Sequence, residues 1–104
     1  MIEAIKRIFG LGPAVDYREL VKNGAQIIDV RTKGEYAGGH IRESVNIPLQ
    51  TLNDQLSRIK KDRPVITCCA SGMRSASAKS ILKSNGFLEV HNGGSWITLN
   101  SKIM

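Results

Sequence analysis

The residues best suited to chemistry in this sequence are two adjacent cysteines, Cys68 and Cys69, followed by a short run of small residues that ends in Arg74. An apolar strand-like run precedes them and a helical pattern begins at Ser75, so Cys69 stands at a strand-to-helix junction. The unpaired N–H groups and partial positive charge of such a junction lower the pKa of a thiol. The sequence therefore predicts Cys69 as a thiolate nucleophile.

The two cysteines are expected to differ, because neighbouring residues of an extended strand point to opposite faces. Cys68 lies inside the strand and is interpreted as a small buried apolar residue. A structural disulfide between such neighbours would be strained, so the pair does not indicate an oxidising compartment. Beyond Cys69, Gly72 lets the backbone turn so that successive N–H groups converge on an anion. The predicted loop and anion site consists of Ala70, Ser71, Gly72, Met73, Arg74 and Ser75.

The elements that position this loop follow an α/β order. Short apolar runs predict strands, and apolar residues at helical spacing predict helices between them. Residues 33–40 contain three glycines and are predicted as a turn or two of helix followed by a loop. Alternation of strands and helices is typical of a parallel or mostly parallel sheet covered by helices. The predicted strands are 26–30, 44–47, 65–68 and 89–91, and the predicted helices are 16–24, 49–61 and 75–85.

Length and composition favour one domain. The chain has 104 residues, 41% of them hydrophobic and 23% charged, which is typical of a single globular unit. Residues 1–13 are predicted to be an N-terminal extension with a short helix, because Ile2, Ile5 and Ile8 recur at helical spacing. Charged residues interrupt this apolar pattern, so neither a signal peptide nor a membrane span is expected. We therefore expect residues 14–104 to form a single cytoplasmic domain.

The balance of charge favours anionic partners. Fifteen Lys and Arg residues against nine Asp and Glu residues give a formal net charge of +6, which raises the local concentration of anions. A small oxyanion and an acidic protein both fit this charge. Nucleic acid is not expected, because the sequence has no nucleic-acid-binding signature and its few aromatic residues are not interleaved with basic ones.

From Asp16 to Trp96 the sequence resembles a rhodanese-like (sulfurtransferase) domain, and the order and spacing of several segments together carry the likeness. The resemblance implies an α/β fold with a mostly parallel central sheet of about five strands and helices on both faces. It also implies that Cys69 is the catalytic cysteine and that residues 69–74 form a six-residue active-site loop. The matching segments are I-I-D-V-R at 27–31, E-Y-A-G-G-H-I at 35–41, S-V-N-I-P-L at 44–49, V-I-T-C-C-A-S-G-M-R-S at 65–75, G-F at 86–87 and G-G-S-W at 93–96.

In domains of this kind the cysteine thiolate takes the outer sulfur of an anionic donor such as thiosulfate, or of a persulfide, and passes it to a thiol or to cyanide. The resemblance implies no metal and no organic cofactor, and an acidic sulfur-accepting protein is a further candidate partner. Asp29 and Arg31 match the family's D-V-R segment and are expected to brace the sheet edge near the loop. His40 matches the G-H-I segment and is expected to support the structure. Arg74 is expected either to attract anions or to hold the loop through an ion pair with a carboxylate.

Two other functions remain open. Counting from Cys68 gives a cysteine, five residues, Arg74 and Ser75, which is the spacing of a cysteine-dependent phosphatase or arsenate reductase on the same fold. A seven-residue loop is wide enough for phosphate oxygens, whereas a six-residue loop suits a single sulfur. The register of the residues after Cys69 favours sulfur transfer. The second alternative is a non-catalytic protein-binding module.

Overall fold

The structure is a computed structural model that describes residues 14–104. The helix predicted within residues 1–13 lies outside the described residues. No helix in the described part of the chain is long and apolar enough to cross a membrane. In chain order the elements are α1 (Tyr17–Lys22), β1 (Gln26–Asp29), α2 (Lys33–Ala37), β2 (Val45–Asn46), two 3-10 helices (Leu49–Asp54 and Leu56–Arg58), β3 (Val65–Cys69), α3 (Met73–Ser84), β4 (Val90–Ser95) and α4 (Trp96–Ile103).

The four strands form one parallel sheet in the order β2-β1-β3-β4. The predicted α/β fold with a parallel sheet is confirmed, although residues 14–104 contribute four strands rather than about five. Parallel strands end at the same edge of the sheet, and ligands bind beyond that edge in folds of this class. Strand β3 is central and ends in Cys69, so the fold presents this cysteine at that edge.

Helices cover both faces of the sheet, and strand alternation divides the core between the faces. Cys69 belongs to the first core cluster and Cys68 to the second, so the two cysteines lie on opposite faces of β3. The first cluster, covered by the 3-10 helices and α3, includes Ile28, Val30, Ile47, Leu52, Ala78 and Leu82. The second, covered by α1 and α4, includes Ile27, Ile41, Ile66 and Leu99, with Leu20, Trp96 and Ile103 packed against it.

The segment predicted as one helix over residues 49–61 forms two short 3-10 helices instead. Its apolar residues still face the sheet, and Leu52 is completely buried. Side chains form local hydrogen bonds in this segment. The Thr51 hydroxyl donates to the Pro48 carbonyl at 3.0 Å, and the Gln55 amide donates to Thr51 Oγ1 at 2.7 Å. Such bonds compete with regular α-helix, and the 3-10 form keeps the apolar face inward over a few residues.

Strand β4 extends beyond its predicted limit, and a helix that was not predicted from the sequence follows it. Strand β4 continues to Ser95 through two glycines, which sequence patterns read as the end of a strand. A Cβ on Gly93 would lie 2.8 Å from Leu99 Cδ2 and 2.9 Å from Ile66 Cγ2, so only glycine leaves room for α4 to pack on the sheet. The residues that follow β4 form the helix α4, which buries Leu99 completely.

Candidate active site

Cys69 occupies the last position of β3, and the loop that follows turns its backbone toward the sulfur. The Gly72 N–H donates to Cys69 Sγ at 2.9 Å, and Ser75 Oγ lies 3.4 Å from the same sulfur. Gly72 has a φ of +107°, a left-handed conformation that glycine adopts without strain, and it is the N-cap of α3. The sulfur therefore lies where backbone donors and the start of a helix both stabilise negative charge.

Competing effects set the pKa of the Cys69 thiol. The residue is 1% exposed, and burial raises the pKa because it disfavours the charged form. Hydrogen bonds from the side chain and backbone of Ser75 lower it, as do those from the N–H groups of Gly72 and Ser71. These bonds together outweigh burial, so the pKa of Cys69 lies below the ordinary thiol value. The site can hold a thiolate.

Cys68 has a contrasting environment. It is fully buried on the other face of the sheet, beside Asp29 in the register of β1 and β3. Burial, together with the negative charge of Asp29, raises the pKa of the Cys68 thiol to about 12. Cys68 therefore remains a neutral thiol near neutral pH and is a poor nucleophile.

A polar network ties the loop to strand β4. The buried Ser75 hydroxyl is 2.6 Å from Asn92 Oδ1, which also accepts from the Gly94 N–H at 2.9 Å. The Asn92 amide donates to the Gly72 carbonyl at 3.3 Å. Beneath the loop, the Thr67 hydroxyl donates to the Ser75 carbonyl at 2.8 Å. Asn92 thus fixes two loop residues that contact the Cys69 sulfur.

The guanidinium of Arg74 turns toward helix α2 and forms a two-pronged ion pair with Glu35. The N–O distances are 2.7 and 2.9 Å, and both side chains are about one third exposed. Glu35 also closes a capping box with Thr32 at the start of α2. The hydrogen bond from Arg74, and then that from the Thr32 N–H, lower the pKa of Glu35 to about 2. Of the two roles predicted for Arg74, the structure displays the ion pair.

A sequence model of the rhodanese-like domain family matches residues 14–94, most of the chain. The chain belongs to the rhodanese-like family. The recognition made from the sequence segments is thereby confirmed.

Named relatives of this rhodanese-like domain include sulfurtransferases. The thiosulfate sulfurtransferase GlpE of Ectopseudomonas mendocina (strain ymp) is 36% identical over 75 residues, which cover 72% of this chain and 69% of that protein. The uncharacterized protein YqhL of Bacillus subtilis (strain 168) is 43% identical over 68 residues, or 65% of this chain, and the match spans about half (54%) of its length. A solved structure of a rhodanese with anions from E. coli has a TM-score of 0.68 and 30% identity, covering 72% of this chain and 91% of that one.

Asp29 and Arg31 form a buried ion pair at the end of β1 in this rhodanese-like domain. Arg31 Nη2 lies 2.6 Å from Asp29 Oδ2, and Arg31 Nε lies 2.9 Å from Oδ1. The same guanidinium donates to the Gly39 carbonyl at 2.8 Å and the Glu35 carbonyl at 3.3 Å, and it lies 4.7 Å from the centre of the Trp96 ring. Arg31 therefore binds the middle of α2 and the turn that follows it, and α2 carries the carboxylate that binds Arg74.

The hydrogen bond and the ring contact of His40 are both with Tyr36. His40 is exposed, its Nδ1 lies 2.8 Å from the Tyr36 carbonyl oxygen, and its ring stacks on that of Tyr36 with centroids 3.8 Å apart. Among the described residues, His40 makes no hydrogen bond to the Cys69 loop. These contacts stabilise the end of α2.

Two residues of the site, Glu35 and Asn92, were not singled out by the sequence. Glu35 lies within a segment that resembles the family, but only folding brings it to Arg74, 39 positions later. Asn92 is a polar residue in a strand that was predicted to end before it. Its one available signal was its place just before two glycines, which gives no indication of a partner.

The thiolate of Cys69 is expected to form at a lower pH than that of an ordinary cysteine. Because the pKa of Cys69 is lowered from 9.0 and that of Cys68 is raised to about 12, thiolate ultraviolet absorbance should rise in one early step as pH increases. That step should remain in Cys68→Ala and disappear in Cys69→Ser. A first step at or above the ordinary value, or one that disappears with Cys68, would contradict the assigned electrostatics.

Proposed function

We propose that the chain is a sulfurtransferase that carries sulfane sulfur as a persulfide on Cys69. It takes the sulfur from a donor such as thiosulfate or a persulfide and gives it to a thiol or to cyanide. The observation that carries the proposal is the position of Cys69 Sγ, which receives the Gly72 N–H at 2.9 Å and lies beside the Ser75 hydroxyl. Relatives named as thiosulfate sulfurtransferases support it.

In the first half-reaction the Cys69 thiolate attacks the outer sulfur of the donor. With thiosulfate, a bond forms between Cys69 Sγ and that sulfur, the sulfur–sulfur bond of the donor breaks, and sulfite leaves with the bonding electron pair. The product is a persulfide anion on Cys69. Preorganised N–H donors stabilise this charge without rearranging, which is the usual source of catalysis in such loops.

In the second half-reaction the acceptor attacks the outer sulfur of the persulfide. A thiolate acceptor forms a new persulfide, and cyanide forms thiocyanate. The bond between Cys69 Sγ and the transferred sulfur breaks, and its electron pair returns to Sγ as the thiolate. The loop therefore stabilises negative charge on Cys69 at the start, after loading and at the end of the cycle.

Backbone groups supply the positive potential of the loop. Arg74 is paired with Glu35, and Ala70, Ser71 and Met73 carry no charge. The donor nearest the sulfur is the Gly72 N–H, which does not depend on a titrating side chain. A donor of low charge, such as an organic persulfide, suits this loop as well as thiosulfate does.

The geometry favours sulfur transfer over the phosphatase and arsenate reductase alternatives. Those reactions require Cys68 as nucleophile, but Cys68 is fully buried on the opposite face and the pKa of its thiol is about 12. The non-catalytic alternative requires no reactive thiol, whereas the hydrogen bonds around Cys69 lower its pKa. Both observations support Cys69 as the working residue.

A comparison of two activities on the wild-type protein tests the proposal. Thiocyanate formation from cyanide is measured with thiosulfate and with glutathione persulfide as donors, beside hydrolysis of p-nitrophenyl phosphate. We expect thiocyanate formation that saturates with at least one donor and no phosphate release above background. Phosphate release without thiocyanate would overturn the proposal in favour of the phosphatase, and neither activity would favour the binding module.

Glu35→Gln is expected to slow sulfur transfer about tenfold, because Arg74 then keeps only a neutral hydrogen-bond partner and the loop shifts relative to the donor. Stability should change little, since the ion pair is partly exposed to solvent. Glu19→Gln is a matched control that neutralises an exposed carboxylate on α1. An unchanged rate of thiocyanate formation in Glu35→Gln would show that the ion pair does not position the loop.

A further inference from the structure

A basic cleft of about 400 Å³ lies at the end of the sheet opposite Cys69. It opens beside the first residues of β1, whereas Cys69 is the last residue of the parallel strand β3. Four cationic side chains line it, with a single carboxylate, that of Glu43. None of the four forms an ion pair with another residue of the described range 14–104. The cations are Arg42, Arg58, Lys60 and Arg63.

Hydrogen bonds and packing contacts hold the backbone around these cations in place. The Gln26 side chain donates to the Lys60 carbonyl at 2.8 Å and accepts from the Lys60 N–H at 2.8 Å. Arg63 packs over the glycine that precedes β1, with its Cδ 3.6 Å from the position of a Cβ on Gly24. On the other wall Glu43 has a φ of +69°, a conformation that few non-glycine residues adopt. The residues that line the cleft are therefore held in place against β1.

The floor of the cleft is a strand edge without a neighbour. Strand β2 pairs only with Ile28 and Asp29 of β1, so Gln26 and Ile27 have no strand beside them on that side among residues 14–104. The Gln26 N–H bonds to the Pro64 carbonyl on the β3 side. Since successive N–H groups of a strand alternate in direction, that of Ile27 faces the cleft. Such an edge accepts an extended chain by main-chain hydrogen bonding.

We infer that this cleft binds an extended acidic segment of a partner protein, which accepts a main-chain hydrogen bond from the Ile27 N–H while its carboxylates contact the surrounding cations. Arginine forms two-pronged hydrogen bonds with carboxylates, and the net charge of +6 draws an acidic chain to the surface. The cleft has no aromatic side chain in its lining, so it offers no platform on which bases of a nucleic acid would stack. The inference does not rest on sulfur transfer, because the cleft is separate from the Cys69 loop.

The probe is a fluorescein-labelled peptide that alternates threonine and glutamate, and a peptide that alternates threonine and lysine is its control. Fluorescence anisotropy should show saturable binding of the acidic peptide alone. Backbone amide NMR shifts should change at Gln26, Ile27 and Val45, and the Ile27 amide should exchange more slowly with solvent. In the double variant Arg42→Glu with Arg63→Glu, binding should weaken at least about tenfold, while Lys83→Glu, an exposed cation on α3, should leave it unchanged.

Three results would overturn the inference. Equal weakening by Lys83→Glu would show attraction to overall charge. The cleft would be a general anion site if inorganic polyphosphate displaces the peptide and the Ile27 amide exchanges no more slowly in the peptide complex. Shifts confined to the Cys69 loop would place the peptide elsewhere. Amide spectra of the variants that otherwise overlay the wild type establish that the fold is retained, and thiocyanate formation is expected to stay unchanged.

Discussion

Cys69→Ser is expected to lower the rate of thiocyanate formation by about a thousandfold or more. A serine hydroxyl at this position is not ionised near neutral pH and cannot hold a transferable sulfur, so the covalent route is closed. The substitution keeps the size of the side chain and both neighbours of Sγ, Gly72 and Ser75. Rates are to be measured with the donor that the wild type uses best.

Cys68→Ala is the matched control for Cys69→Ser. It removes the adjacent sulfur from the opposite face of the same strand and leaves the loop unchanged. We expect its rate to stay near that of the wild type, although truncation of a buried side chain costs some stability. Full activity in Cys69→Ser together with its loss in Cys68→Ala would mean that the catalytic cysteine has been misassigned.

Asp29→Asn is expected to reduce the free energy of unfolding by about 3–5 kcal/mol, because it leaves the guanidinium of Arg31 buried without a counter-charge. Asp29 is fully buried and Arg31 is 4% exposed, so water cannot replace the lost interaction. The Gly39 and Glu35 carbonyls remain as partners of Arg31 but carry no full charge. Urea unfolding measures the change as a lower midpoint at a constant slope.

Asp62→Asn removes the same charge from an exposed turn and is the control for Asp29→Asn. We expect it to change the free energy of unfolding by no more than about 0.5 kcal/mol, as is usual for surface substitutions. A loss below about 1 kcal/mol in Asp29→Asn would contradict a structural role for the buried pair.

The sequence was sufficient to predict how the two cysteines differ. Strand alternation places Cys68 and Cys69 on opposite faces, and Gly72 with the helix that follows indicates which one meets backbone donors. These are local relations within a few residues, and the structure has the same arrangement. The order of strands and helices as far as β4 was predictable for the same reason, since each of these elements has its own periodicity.

Contacts between distant segments could not be predicted from the sequence. The partner of Arg74 is Glu35 and that of Ser75 is Asn92, and neither pairing follows from spacing. The end of β4 was not predicted because glycine is typical of the residues that follow a strand. Gly93 lies within β4 because α4 packs too closely against the sheet for a larger residue. The sequence thus predicted which thiol meets backbone donors, and the loop that supplies them, but not the side chains that hold the loop in place.

Intact mass of the purified protein after incubation with thiosulfate or glutathione persulfide tests the central claim most directly. We predict that the wild type and Cys68→Ala each gain the mass of one sulfur atom, that cyanide removes this gain, and that Cys69→Ser shows none. A wild type that gains no sulfur from either donor, or a gain that persists in Cys69→Ser, would contradict the persulfide on Cys69.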